Sequence, residues 1–188
     1  MRISGGEFKG RKLFSVRGSD IRPSGGKLRE AVFSIAADFV AQGRVLDLYA
    51  GTGSLGLEAL SRGARRAVFI DNDQRAISAI RDNIQLLRVQ DRTTCIRWDI
   101  TKNLNCLQAM SPPFTLVFID PPYNQEVIAP TLSHLGACRC LAHRALLVVE
   151  HGAASPFPEP PPSGFERLER RKYGKSLVTF FSYVLPEI

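Results

Sequence analysis

At 188 residues, with 44% hydrophobic and 23% charged residues, the chain is long enough for one domain with a single good core and too short for several. Its longest apolar stretch, 145–149, reads as a buried strand and is far below the length a bilayer crossing needs. The net charge of +7 is uneven: residues 1–30 carry +5, leaving +2 for the rest.

Arg2, Lys9, Arg11, Lys12, Arg17, Arg22, Lys27 and Arg29 supply that charge. A basic arm on a nearly neutral body is an electrostatic footprint for phosphate, and it also fits a solvated surface segment. Its glycines, with Phe8, Phe14 and Ile21, allow it to fold back as a short hairpin; residues 1–25 are read as this arm, and 26–188 as the main domain. The N-terminus lacks a hydrophobic targeting core, so a cytoplasmic location is expected. Cys95, Cys106, Cys138 and Cys140 show no metal-finger spacing and read as reduced packing thiols. His134, His143 and His151 are scattered, so no metal site is expected.

After the arm, apolar residues at helical spacing predict a helix over 27–40, and Gly43 ends it. A strand over 45–49, a helix over 54–62, a strand over 67–70 and a helix over 73–88 follow. Then come a short strand at 94–97, a weaker helix over 101–110, a strand over 114–119, a helix over 125–138 and a strand over 145–150. The alternation predicts a mostly parallel sheet with helices on both faces and a ligand at the carboxyl ends of the strands. The proline-rich run at 156–162 reads as an extended spacer. Beyond it, 165–173 and 176–185 flank Gly174-Lys175 and predict an antiparallel hairpin on the sheet edge.

Two motifs carry chemistry. In Asp47-Leu48-Tyr49-Ala50-Gly51-Thr52-Gly53-Ser54-Leu55-Gly56 the glycines have Gly-x-Gly-x-x-Gly spacing where the first strand turns into its helix. Asp71, with Asn72 beside it, ends the second strand twenty residues beyond Gly51. That pattern fits a nucleotide ribose held by an acidic group, for either NAD or S-adenosylmethionine. Asp47 favours the latter, because a carboxylate there can face a methionyl ammonium and would repel a pyrophosphate. Asp99 and the Ile100 backbone are placed to contact adenine, while Trp98 fits packing as well as contact.

The second motif is Asp120-Pro121-Pro122-Tyr123, closing the fourth strand beside the first. An exocyclic amine on a nucleobase is a poor nucleophile, since its lone pair is delocalised into the ring. A site that methylates it needs acceptors for both N–H groups and a surface for the base plane. Asp120 and the Pro121 carbonyl are such acceptors, the latter held still by two consecutive prolines. Tyr123 offers a stacking face. Pro121-Pro122 also fits a simple turn.

With both motifs placed, the chain resembles the bacterial small-subunit (16S) ribosomal RNA guanine-N2 methyltransferases of the RsmD type over nearly its whole length. The likeness rests on Met1 to Gly6, Lys9-Gly10-Arg11-Lys12-Leu13, Val45 to Ala64, Arg29-Glu30-Ala31 and Arg171-Lys172-Tyr173-Gly174. It implies a Rossmann-like class I methyltransferase fold, α/β with a seven-stranded, mostly parallel sheet and an antiparallel C-terminal hairpin. It also implies S-adenosylmethionine as cofactor, and as substrate one guanine (guanine-966 in the family's naming) within an assembling 30S particle. Asp47, Tyr49, Gly51, Gly53, Asp71, Asn72, Asp99 and Ile100 are then the cofactor contacts, and Asp120 to Tyr123 the catalytic set. Arg2, Lys9, Arg11, Lys12, Arg22 and Arg29 are the expected RNA contacts. No membrane partner is expected and the chain is taken as a monomer. Ser24-Gly25-Gly26-Lys27 departs from the family pattern, lacking an acidic residue at Gly26. The alternatives are a DNA adenine-N6 methyltransferase, which shares the tetrapeptide, an NAD-dependent oxidoreductase and a catalytically silent assembly factor.

Overall fold

The computed structural model describes residues 1–16, 26–122, 126–153 and 157–185. Arg22, the Ser24-Gly25 departure, Tyr123, and the expected starts at Gln125 and Pro156 lie outside them.

The central strands are near-continuous buried runs, as a sheet covered on both faces requires. β1 (Arg44–Leu48), β2 (Arg66–Asp71), β3 (Thr93–Arg97), β4 (Phe114–Ile119) and β5 (Leu141–Gly152) run parallel. β6 (Phe165–Tyr173) and β7 (Ser176–Tyr183) form an antiparallel hairpin whose β7 pairs with β5. The seven strands are ordered β3-β2-β1-β4-β5-β7-β6. β1 therefore lies between β2 and β4, and the loops after these three strands open on one edge.

Successive side chains feed opposite cores. Val45, Phe69, Phe118 and Val148 pack under α1 (Gly26–Ile35), α3 (Ser54–Ser61) and α4 (Gln74–Leu87). Leu46, Ile70, Ile119 and Val149 pack against α5 (Ile128–Cys138). In α4, Ile77, Ile80, Ile84 and Leu87 make the buried stripe. Asp73 caps it by accepting from the Arg75 N–H at 2.8 Å, and Arg88 ends it in the left-handed conformation.

The arm forms a small antiparallel hairpin in which Arg2 pairs with Lys12 and the Ile3 N–H donates to the Arg11 carbonyl. Ile3 and Leu13 enter the core beside α3.

Four expectations need correction. The helix over 27–40 is broken at Ala36 into α1 and the four-residue α2 (Ala37–Val40). Phe33 of α1 is fully buried against Phe118 with ring centroids 5.4 Å apart. The helix over 101–110 is a run of turns with one 3-10 turn at Asn105–Leu107. Polar side chains there bond their own backbone: Asn103 accepts from the Asn105 N–H and Asp99 from the Thr101 N–H, which competes with helix formation. β5 begins at Leu141, where an irregularity in its pairing with β4 absorbs the extra residues. Finally, Cys138 and Cys140 are joined as a disulfide, while Cys95 and Cys106 are free.

Candidate active site

The crevice edge is built from three adjacent strand ends. β1 runs into the glycine loop, and three features shape it. Tyr49, Gly51 and Gly53 all have positive φ (58°, 55° and 75°), so the chain turns sharply and two glycines carry the strain at no steric cost. A Cβ placed on Gly51 would meet nothing closer than the Tyr49 carbonyl at 4.0 Å, so bare backbone faces open space there. At Gly56, in contrast, a Cβ would lie 2.4 Å from the Phe69 ring, so α3 can sit on β2 only without a side chain.

Asp71 pins the loop from β2. Its carboxylate accepts from the Gly51 N–H at 2.9 Å and from the Asp73 N–H at 2.9 Å, and it remains half-buried at the crevice. A carboxylate has about four acceptor positions, so this one retains capacity for ligand hydroxyls. Asn72 is exposed beside it, its carbonyl accepting from Arg97. Asn83 of α4 donates to the Thr52 carbonyl at 3.0 Å and bonds both the N–H and the carbonyl of Phe14, tying the glycine loop to the arm. Sequence reasoning missed Asn83; an amide on the apolar stripe, at helical spacing from Ile80 and Leu87, was the available signal.

Asp47 differs from its expected role. It is 1% exposed beneath the loop, where it accepts from the Gly56 N–H at 2.9 Å. Burial, with the negative charge of Asp71 adding to it, pushes its carboxyl up to about 8 against the opposing Gly56 hydrogen bond. It supports the loop from below and does not face the open space above Gly51. Tyr49 is half-buried with its hydroxyl bonded to Thr131 of α5 at 2.8 Å, so its side chain braces the opposite helix layer.

After β3, Asp99 is held below the usual carboxylate range chiefly by the Thr101 hydroxyl. Ile100 is buried and its carbonyl takes a contact from His134 Nδ1 at 3.1 Å. Trp98 donates its indole N–H to the Asn103 carbonyl at 2.9 Å and packs on the core, so packing describes it best.

At the end of β4, Asp120 is half-buried, Pro121 buried and Pro122 exposed. Because Leu48 pairs with Ile119, the Asp120 turn starts level with the glycine loop on the neighbouring strand.

A family model described as Conserved hypothetical protein 95 matches residues 1–182. The chain belongs to that family. Among its relatives, YlbH of Bacillus subtilis (strain 168) is 33% identical over 159 residues, covering 85% of this chain and 86% of its own. Ribosomal RNA small subunit methyltransferase D of Escherichia coli (strain K12) is 32% identical over 162 residues, covering 86% and 79%. The solved structure of yhhF from Escherichia coli superposes with a TM-score of 0.83 at 29% identity, covering 98% of both chains. The architecture is that of the class I methyltransferases.

Within this family frame, one expected RNA contact is overturned. Arg29 is 5% exposed; it ion-pairs with Glu58 at 3.4 Å and donates to the Arg2 carbonyl. Its charge is spent inside the protein. Glu58 itself was not singled out from the sequence: its carboxylate accepts from the Ser4 N–H and hydroxyl, the Gly5 N–H and Arg62. Arg2, Lys9, Arg11 and Lys12 are exposed on the hairpin, with Arg2 donating to the Gly10 carbonyl.

Proposed function

We propose that this protein is an S-adenosylmethionine-dependent ribosomal RNA methyltransferase that modifies the exocyclic N2 amine of a guanine in small-subunit RNA. The observation that carries the reading is the pairing of β1 with β4, which sets Asp120-Pro121 beside a glycine loop of bare backbone. The names of relatives such as ribosomal RNA small subunit methyltransferase D supply the RNA class. When bound, S-adenosylmethionine supplies an electrophilic sulfonium methyl, so no strong nucleophile has to be generated.

The residues present fit that cofactor. Gly51 and Gly53 let the backbone approach it, and Asp71 has acceptor capacity for ribose hydroxyls, with Asn72 adjacent. Asp99 and Ile100 flank the same edge for adenine. Asp120 and the Pro121 carbonyl accept the two amine protons, an interaction that strengthens as positive charge develops on nitrogen. Holding the base in line is worth several kcal/mol by positioning alone. Tyr123 is assigned to stacking on a base extruded from its neighbours. Arg2, Lys9, Arg11, Lys12 and Arg22 contact phosphates, positioning the RNA without reading its sequence. A monomer acting on an assembling small subunit, at guanine-966, completes the reading.

Nucleoside analysis of small-subunit RNA and of DNA from cells lacking the protein tests it. N2-methylguanosine should disappear from the RNA. Loss of N6-methyladenine from the DNA instead would establish the rival activity. In vitro, Asp120→Ala should lower turnover roughly 10²- to 10³-fold with cofactor affinity retained. Unchanged turnover would remove Asp120 from the chemistry.

A further inference from the structure

We propose that Glu150 is a specificity-determining residue of this site, its carboxylate accepting the N1–H of the target guanine while Asp120 and Pro121 hold the N2 amine. The proposal rests on the guanine-N2 reading above and deepens it.

The placement follows from register. Ile119 of β4 pairs with Val149 of β5, so the next residues on these parallel strands are Asp120 and Glu150. Neighbouring strands lie about 4.8 Å apart. Phe118 and Val148, two positions earlier, belong to the core under α1 with Leu28 and Val32. Alternation then turns Asp120 and Glu150 to that same face. Both line one narrow cleft walled by Leu28, Val32, Leu55 and Phe118. Its volume of about 10 Å³ admits one water-sized group and no aromatic ring. A base at its mouth can therefore offer only an edge.

The chemistry of that edge decides between the purines. Guanine presents N1–H and the N2 amine side by side, a row of donors that suits a row of acceptors. Adenine presents the N6 amine beside N1, a lone pair, which a second carboxylate would repel. Asp120 alone serves either amine; Asp120 with Glu150 suits only guanine. Glu150 is 7% exposed in this cleft, where a hydrogen bond counts for more than in water.

The test uses small-subunit particles reconstituted with guanine or 2-aminopurine at the mapped target nucleotide. 2-Aminopurine keeps the exocyclic amine and replaces N1–H by a lone pair. The wild-type enzyme should prefer guanine in kcat/KM by roughly 10- to 100-fold. Glu150→Gln, whose amide can donate to that lone pair, should bring the ratio to within about threefold while thermal stability and cofactor affinity hold. Glu150→Asp should keep the preference at reduced kcat/KM. A Gln variant slowed equally on both bases would show a structural role and overturn the proposal. So would a wild-type enzyme indifferent to the two bases, whatever the variants do. A wild-type enzyme that methylates no guanine would refute the underlying substrate reading instead.

Discussion

Two buried carboxylates, one within α3 and one beneath its start, are solvated by the protein in opposite ways. Glu58, within the helix, is ringed by donors: the Ser4 N–H and hydroxyl, the Gly5 N–H, and the guanidinium groups of Arg29 and Arg62. Asp47, under the start of the helix, receives one hydrogen bond among the described residues, from the Gly56 N–H. Glu58 thus acts as a fixed anchor that joins arm, α1 and α3. Asp47 shapes the glycine loop, and burial pushes its carboxyl up to about 8. The same residue chemistry, equally buried, gives a rivet in one place and a proton-sensitive strut in the other.

Removing the anchor should have the largest effect. Glu58→Ala leaves Arg29 buried without its ion partner and frees three arm donors, a loss of about 3–5 kcal/mol in unfolding free energy. Glu58→Gln keeps acceptors without the charge and should lose less. Urea unfolding of both variants measures the difference. If Glu58→Ala stays within about 1 kcal/mol of the parent, Ile3 and Leu13 hold the arm by apolar contact and the anchor is incidental.

These two residues also show what could be read from the chain beforehand. The glycine loop and Asp71 were legible, because the spacing of Gly51, Gly53 and Gly56 and the twenty-residue step to Asp71 are local geometry. The hydrogen bond from the Gly51 N–H to Asp71 is that step made physical. Short apolar runs alternating with helical patterns likewise announced the parallel strands, and the segments flanking Gly174-Lys175 the C-terminal hairpin. Glu58 was not legible as an anchor, since its partners in the arm and α1 lie 53–54 and 29 residues away and only its pair with Arg62, one helical turn on, is local. Arg29 was misassigned to RNA for the same reason: a count of charges cannot say which of them face inward. The 101–110 segment failed because Asp99 and Asn103 bond their own backbone, which periodicity does not register. Asp47 was noticed but aimed wrongly, as its depth depends on how closely α3 packs on Phe69.

That closeness gives the second way to strike at the comparison, now from the Asp47 side. Alanine at Gly56 would put its Cβ 2.4 Å from the Phe69 ring and 3.2 Å from the Asp47 carboxylate. Phe69 is fully buried in β2 and cannot swing away. Overpacking costs up to about 3 kcal/mol against the gain of about 1 kcal/mol that alanine offers a helix interior, leaving a net loss of up to about 2 kcal/mol. Urea unfolding reads the loss directly. A neutral or stabilising Gly56→Ala would mean that the helix start can shift, and that Asp47 is held by something looser than this contact.

The effect most specific to Asp47 is small per pH unit and is read as a slope. Burial pushes its carboxyl up to about 8, far above the ordinary 3.8, so between about pH 4 and 8 the native chain retains a proton that the unfolded chain has released. Stability contributed by this residue is therefore greatest at the acidic side of that window and declines as pH rises through it. The slope from this single group is at most about 1.4 kcal/mol per pH unit. Asp47→Asn keeps an oxygen to accept from the Gly56 N–H and has no proton to lose. Unfolding free energies measured from pH 5 to 8 should fall in the parent and be flatter by that one-proton amount in the variant, with the variant gaining most at pH 8. Parallel profiles would place Asp47 in its charged form throughout, and the contrast with Glu58 would then reduce to the number of hydrogen bonds each receives.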